Sequence, residues 1–277
     1  MCSETGVYPV VSTATGRDDE IMKVALLHLD LSGGPQDANL AMLQQALGLA
    51  AGEGANWVVT PEMALQGYFF AEKNSHLQIP VQPDDSLGPV IQLVIRHRLT
   101  LFLGCAERDA ETGKCYNSCL VIGSDGSVLG RHRKTRSHKK GAEAWVTEGD
   151  KLEPISCPGM KVGIMVCADS WFVDKARALR DKGAEVLVVL AAWPPTEECG
   201  PGDCWERCSM ATGLPVWVCN QTGNREAIDF SQAQSVVVAD GKALFSYSGL
   251  QPAVLLFDWD CERKRVLSDR FKVVAVD

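Results

Sequence analysis

Four signatures are missing from this sequence. It has no G-x-G-x-x-G after a strand, no G-x-x-x-x-G-K-[ST], no H-E-x-x-H and no G-x-S-x-G. Dinucleotide, nucleoside-triphosphate, zinc-protease and serine-hydrolase readings lose their usual support. Long apolar runs are missing too. The longest, 186–193, is eight residues and is closed by Pro194 and Pro195. That is the length of a buried strand, well short of the ~20 residues a bilayer requires, so no membrane association is expected. Positive charge is not in excess: 27 Lys and Arg stand against 35 Asp and Glu, a formal net charge of −8. A nucleic-acid binder shows the opposite balance. The basic run 131–140 holds six Lys or Arg in ten residues. It lacks interleaved aromatics and reads as a solvated loop with one or two special cations. The histidines, at 28, 76, 97, 132 and 138, show no ligand-like spacing.

The eleven cysteines are odd in number, and a chain of this size needs no staples to hold a core. Free thiols in a reducing cytoplasm are the expectation. Residues 1–20 lack a basic region followed by an apolar one, so no signal peptide is read, and they suggest a flexible tail. Cys199, Cys204 and Cys208 miss the close C-x2-C pair of zinc sites and read as ordinary thiols. Hydrophobic residues make up 46% of the chain, which suits a globular protein, and one domain over 21–277 is the simplest division.

Strand-like and helix-like segments alternate. Strands are predicted over 21–29, 56–60, 101–105, 115–122, 127–131, 160–166, 185–191, 216–219, 234–238, 243–246 and 253–257. Helices are predicted over 38–51, 87–98, 173–182 and 203–212. The mixture points to a layered α/β fold with both crossovers and hairpins.

Three residue types in this pattern can make a reaction. Cys167 ends the buried strand read over 160–166, just before a helix start, where backbone N–H groups can lower a thiol pKa and face a developing oxyanion. Glu62 follows a strand and a proline, in TPEMALQGY, where a carboxylate among apolar neighbours can shuttle protons. Lys134 follows the strand 127–131 and can place positive charge beside an oxyanion. Each has a plainer reading alone: a small buried hydrophobe, a helix-start acid, a solvated member of the basic run.

Taken in order, the residues resemble the nitrilase superfamily, the carbon–nitrogen hydrolases. Matching stretches are Pro61-Glu62-Met63, Arg133-Lys134-Thr135 and Val166-Cys167-Ala168-Asp169, with Glu143 in EAWVTEGD. Tyr116-Asn117-Ser118, Asp125-Gly126, Gly183-Ala184 and 219–223 agree further. The resemblance spans about 21–260 and implies an α/β fold, a four-layer αββα sandwich, that pairs as a homodimer or higher homo-oligomer. It implies hydrolysis of a small-molecule amide with no metal or cofactor. Cys167 would be the nucleophile, Glu62 the proton carrier, Lys134 and the Ala168 N–H the oxyanion holders, and Glu143 the group orienting Lys134 or the substrate nitrogen. Nitrile or carbamoyl/ureido hydrolysis, or an idle interaction protein on the same fold, are the alternatives. The chain departs from the family after the cysteine. Ser170 and Trp171 stand where many relatives carry a carboxylate-binding Arg, and Val173 and Asp174 replace Pro-Glu. The substrate pocket is expected from Tyr68, Trp171, Phe172 and Trp193, whose plainer reading is core or dimer packing, with Arg136 or Arg207 able to supply charge.

Overall fold

A computed structural model describes residues 21–73, 78–196, 200–224 and 228–277. The expected tail therefore lies outside the described residues. The chain begins with β1 (Ile21–His28), α1 (Gln36–Gly52), β2 (Trp57–Val59), α2 (Phe70–Lys73) and α3 (Gly88–His97). It continues through β3 (Thr100–Arg108), β4 (Cys115–Ile122), β5 (Val128–Arg133), β6 (Ile155–Cys157) and β7 (Met160–Val166). Then come α4 (Val173–Asp181), β8 (Val186–Leu190), α5 (Cys204–Thr212), β9 (Val216–Cys219) and β10 (Ser235–Ala239). The last strands are β11 (Lys242–Tyr247), β12 (Ala253–Asp260), β13 (Arg265–Val266) and β14 (Lys272–Ala275).

The strands form two sheets. The first runs β13-β12-β1-β2-β3-β4-β5, with β14 also paired to β12; the second runs β11-β10-β9-β8-β7-β6. Each has a parallel centre, β1-β2-β3 and β7-β8-β9, flanked by antiparallel strands. Parallel strands are covered on both faces, which explains runs such as VLVVL in β8, buried at every position.

Alternation along β1 sorts the layers. Val24 and Leu26 pack into the cluster that also holds Val188 and Trp217 of the second sheet. Ala25 and Leu27 face Leu40, Leu43 and Leu47 of α1 and Val90 and Val94 of α3. On the far side, α4 contacts β7, and α5 contacts β9 and β10. The layers are helices, sheet, sheet, helices: the αββα sandwich expected. Trp217 of β9 crosses between the sheets, with ring centroids 5.3 Å from Phe257 and 5.0 Å from Trp259 of β12, both edge-on.

The strongly patterned segments match within a residue or two; β3 and β12 run on by three residues past Cys105 and Phe257. The short elements α2, β6, β13 and β14 carry too few residues to show a period and were not read from the sequence.

Candidate active site

Glu62 is placed by contacts from three strands. After β2, the Thr60 N–H donates to Phe102 O at 3.0 Å, and Thr60 Oγ1 accepts from the Gly104 N–H at 2.9 Å. Gly104 is required here: a Cβ on it would lie 2.2 Å from the Pro61 carbonyl oxygen. The Glu62 N–H then donates to Ala191 O at 3.3 Å, just past β8, and Gln221 Nε2, past β9, donates to the Glu62 carbonyl at 2.8 Å. The carboxylate is fully buried. It is no solvated helix-start acid.

Lys134 follows β5 directly. Its N–H donates to Asn117 O and its carbonyl accepts from the Gly149 N–H, both at 2.8 Å. The side chain is also fully buried, unlike a member of a solvated run. Its Nζ donates to Glu62 Oε1 at 2.7 Å and to Glu143 Oε1. Asn117 Nδ2 donates to the same two oxygens, at 2.7 and 3.2 Å. Glu143 closes a 3₁₀ turn (Gly141–Glu143), and its Oε2 accepts from the His138 N–H at 2.9 Å. One cation and one amide thus join two carboxylates.

Cys167 follows β7 in the left-handed region, φ 47°, and opens a 3₁₀ turn (Cys167–Trp171). A left-handed non-glycine residue costs about 1–2 kcal/mol, so the surroundings must hold it. Ser170 Oγ donates to the Cys167 carbonyl at 2.8 Å. Asp169 acts as a bracket. Its carboxylate accepts from the Val166 N–H at 3.1 Å and from His132 Nε2 at 2.9 Å. It also accepts from the Thr135 N–H at 3.0 Å, Thr135 Oγ1 at 2.6 Å and Lys175 Nζ at 2.9 Å. The residue before Cys167 and the residue after Lys134 are thereby tied to one anion. The Ala192 N–H, just past β8, donates to Glu62 Oε2 at 3.1 Å.

The electrostatics follow from burial and these partners. Burial opposes the charge on Lys134, but Glu62 and Glu143 outweigh it and hold the ammonium well above its ordinary range. Burial also opposes the charge on Glu143, and there Lys134 and the His138 N–H win, keeping it ionised. For Glu62 burial prevails over Lys134, and its carboxyl is pushed up. The Cys167 thiol is pushed well above its range by burial and by Glu62, against the pull of Lys134 and the Ala192 N–H. The expected lowering by N–H groups at the turn is therefore overridden, and the resting sulfur is a neutral thiol beside a carboxyl of raised proton affinity.

A cavity of about 370 Å³ opens at this turn, lined by Ala168, Trp171, Phe172, Trp193, Arg136 and His138 among others. Ala168 belongs to the first residues of the turn, whose N–H groups have no partner within it. Trp193 is buried and Trp171 is 44% exposed, their ring centroids 6.0 Å apart. Tyr68 stands elsewhere. It packs edge-on to Phe69, and burial and the Glu62 charge push its phenol up, so it borders the charged cluster rather than this wall. Cys204 and Cys208 are free thiols, and among the described residues no group of three His, Cys, Asp or Glu side chains is arranged to hold a metal; Cys199 lies outside the described residues.

The family described as carbon–nitrogen hydrolase matches residues 23–254. The chain belongs to that family. Among known members, a citrullinase of Francisella tularensis is 28% identical over 72% of this chain and 74% of its own. An omega-amidase of Mus musculus is 27% identical over 87% and 89%. Among solved structures, Saccharomyces cerevisiae Nit3, of branch 10 of the nitrilase superfamily, superposes with a TM-score of 0.76 at 22% identity, covering 88% of this chain and 91% of its own. The amidase of Nesterenkonia sp. AN1 gives 0.77 at 20% identity, over 90% and 94%. The two structures carry the fold.

In this carbon–nitrogen hydrolase several site contributors carried no role in the sequence reading. Asn117 lies in a matching stretch, within the strand CYNSCLVI, but was given no role there. Asp169 and Gln221 lie in matching stretches, but their contacts are long-range. Ala192 contributes only its N–H, which leaves no trace in residue type.

Proposed function

We propose that this enzyme hydrolyses a small-molecule amide to a carboxylic acid and ammonia or an amine, through a thioester on Cys167. The observation that carries this reading is the buried Lys134 that bridges Glu62 and Glu143, with the second oxygen of Glu62 held by the Ala192 N–H. Glu62 takes the thiol proton as sulfur attacks the amide carbon. Lys134 and the Ala168 N–H hold the resulting oxyanion. Glu62 returns the proton to the nitrogen, the C–N bond breaks and the amine leaves. Water then attacks the thioester and gives a proton to Glu62. The C–S bond breaks, and the proton goes back to sulfur. Glu143 keeps Lys134 charged and aimed. Trp171, Phe172 and Trp193 enclose the acyl group, with Tyr68 on the side of the charged cluster.

Incubating the protein with a primary amide should give an acyl adduct on Cys167 by mass spectrometry, and Cys167→Ala should release no ammonia. Full turnover by Cys167→Ala would end the reading. The citrullinase relative favours a ureido substrate as the second reading, which carbon dioxide release alongside ammonia would mark.

Residues 21–277 are taken as one domain, supported by an apolar cluster drawn from both sheets. A cytoplasmic setting is supported by the free thiols. Among the described residues no helix is long and apolar enough to cross a membrane. A homodimer or higher homo-oligomer rests on the family resemblance; light scattering that finds only a single-chain species would reject it.

A further inference from the structure

Two thiols of α5 end on the turn that carries Cys167. Cys208 Sγ donates to the Ser170 carbonyl at 3.1 Å, and Cys204 Sγ lies 3.7 Å from Ser170 Oγ. All three residues are fully buried. The hydroxyl proton of Ser170 is committed, because Oγ donates to the Cys167 carbonyl at 2.8 Å. A hydroxyl has one proton to give and lone pairs with which to receive. The contact with Cys204 is therefore S–H to oxygen, and donation runs from α5 through Ser170 to Cys167. Burial pushes the Cys204 thiol up to about 12 and the Cys208 thiol up to about 11. Both thus keep, at neutral pH, the protons these contacts need. The same helix sets Trp205 against Trp193, ring centroids 6.2 Å apart, and Arg207 5.4 Å from the centre of the Trp171 ring. It backs the nucleophile turn and the aromatic wall beside it.

The left-handed backbone at Cys167, φ 47°, needs holding from both sides. Asp169 secures the side before it, through the Val166 N–H. The Ser170 hydroxyl secures the side after it, at the Cys167 carbonyl. A serine bonded to a carbonyl three residues back is a local contact, one that other local contacts compete with. Here two thiols, 34 and 38 residues further along the chain, fix that serine from the other direction. Ser170 also lies where this chain departs from the family pattern. We propose that Ser170 is a positioning residue of the reaction, clamped by Cys204 and Cys208, and that the clamp keeps the Cys167 sulfur aimed for attack. Displacing a reacting atom by about 1 Å costs on the order of a hundredfold in rate, so a contact remote from the substrate can govern the chemistry. The role rests on the amide-hydrolase reading above, and the two can fail separately.

The test is the rate at which iodoacetamide alkylates Cys167 in the full-length protein, read from the Cys167 peptide by mass spectrometry. Ser170→Ala is expected to slow it about tenfold to hundredfold. Cys204→Ala and Cys208→Ala should each slow it about twofold to tenfold, the range for one neutral hydrogen bond. The Ser170→Ala/Cys204→Ala double variant should be no slower than Ser170→Ala alone, because Cys204 acts through the hydroxyl. A merely structural role has the opposite sign. A loosened turn would expose the thiol and speed its labelling, and Cys105 and Cys219, buried elsewhere, would be labelled too. Several results would overturn the clamp: faster or unchanged labelling in Ser170→Ala, unchanged labelling in either thiol variant, or losses that multiply in the double variant. An unlabelled Cys167 in the unmutated enzyme would do so as well. Ammonia release by the unmutated enzyme from primary amides and ureido acids is measured alongside. Slowed labelling with no ammonia from any of them leaves the clamp standing and removes the hydrolase reading. Ammonia release with unslowed labelling does the reverse.

Discussion

A lysine with no exposed atoms is costly unless its charge is answered at close range. Lys134 is answered twice, by Glu62 and Glu143, and the arrangement leaves one negative charge more than positive if both acids ionise. Burial resolves the excess at Glu62, whose proton affinity rises. Asn117 works against that rise, since its N–H groups stabilise the ionised form. Asn117→Ala should therefore push the Glu62 carboxyl higher still. The acid limb of the kcat/KM profile should move to higher pH, and kcat/KM at neutral pH should fall about tenfold to hundredfold. A pH–rate profile that overlays the parent would show that Asn117 does not tune the base. Glu62, Lys134 and Cys167, each open to a plainer reading alone, were legible because their ordered stretches resemble those of a known family. The role of Asn117 stayed hidden because it depends on carboxylates 55 residues before it and 26 after it.

At the scale of elements, the bracket formed by Asp169 joins the end of β5 to the turn after β7. Burial raises its carboxyl, but His132, Lys175 and Thr135 outweigh burial and hold it well below the usual range. A depressed folded value means that its contribution to stability is complete above the unfolded value of about 4 and is lost as pH falls through the folded one. Asp169→Asn should cost about 3–5 kcal/mol at neutral pH, the range for breaking a buried charge pair, and should flatten the acid side of the stability curve. Urea titrations at several pH values read both effects, and an unaltered midpoint would mean that the turn is held by other contacts. The long elements were readable because their patterns repeat: Leu40, Leu43, Leu47 and Ala50 along α1 fall on one buried face. The short strands at the edges, such as Arg265–Val266, exist because a neighbour offers a ladder, and that neighbour is distant in sequence.

Across the whole molecule, the two sheets meet through apolar rings and a few polar contacts. His28 of β1 reaches Ser235 of β10, with Nδ1 and Oγ 3.0 Å apart. Burial pushes its imidazole down to about 4. The unfolded chain takes up a proton near pH ~6.5, so between there and about 4 the unfolded state binds more protons and stability drops as pH drops. The loss amounts to about 3 kcal/mol over that window. His28→Gln should remove that part of the slope, as chemical denaturation at pH 7 and 4.5 would report; an undiminished slope would assign it to other groups.

The proposed base and the ammonium come from strand ends of the first sheet, Glu62 after β2 and Lys134 after β5. The sulfur and the Ala192 N–H come from the second, after β7 and β8. The reactive centre therefore belongs to neither half. A species whose ladders are intact but whose halves have slid apart keeps nearly all of its regular structure and loses every pairing the chemistry needs. On the proposed mechanism, activity depends on the seam between the sheets and should be lost when they part, even with each ladder intact.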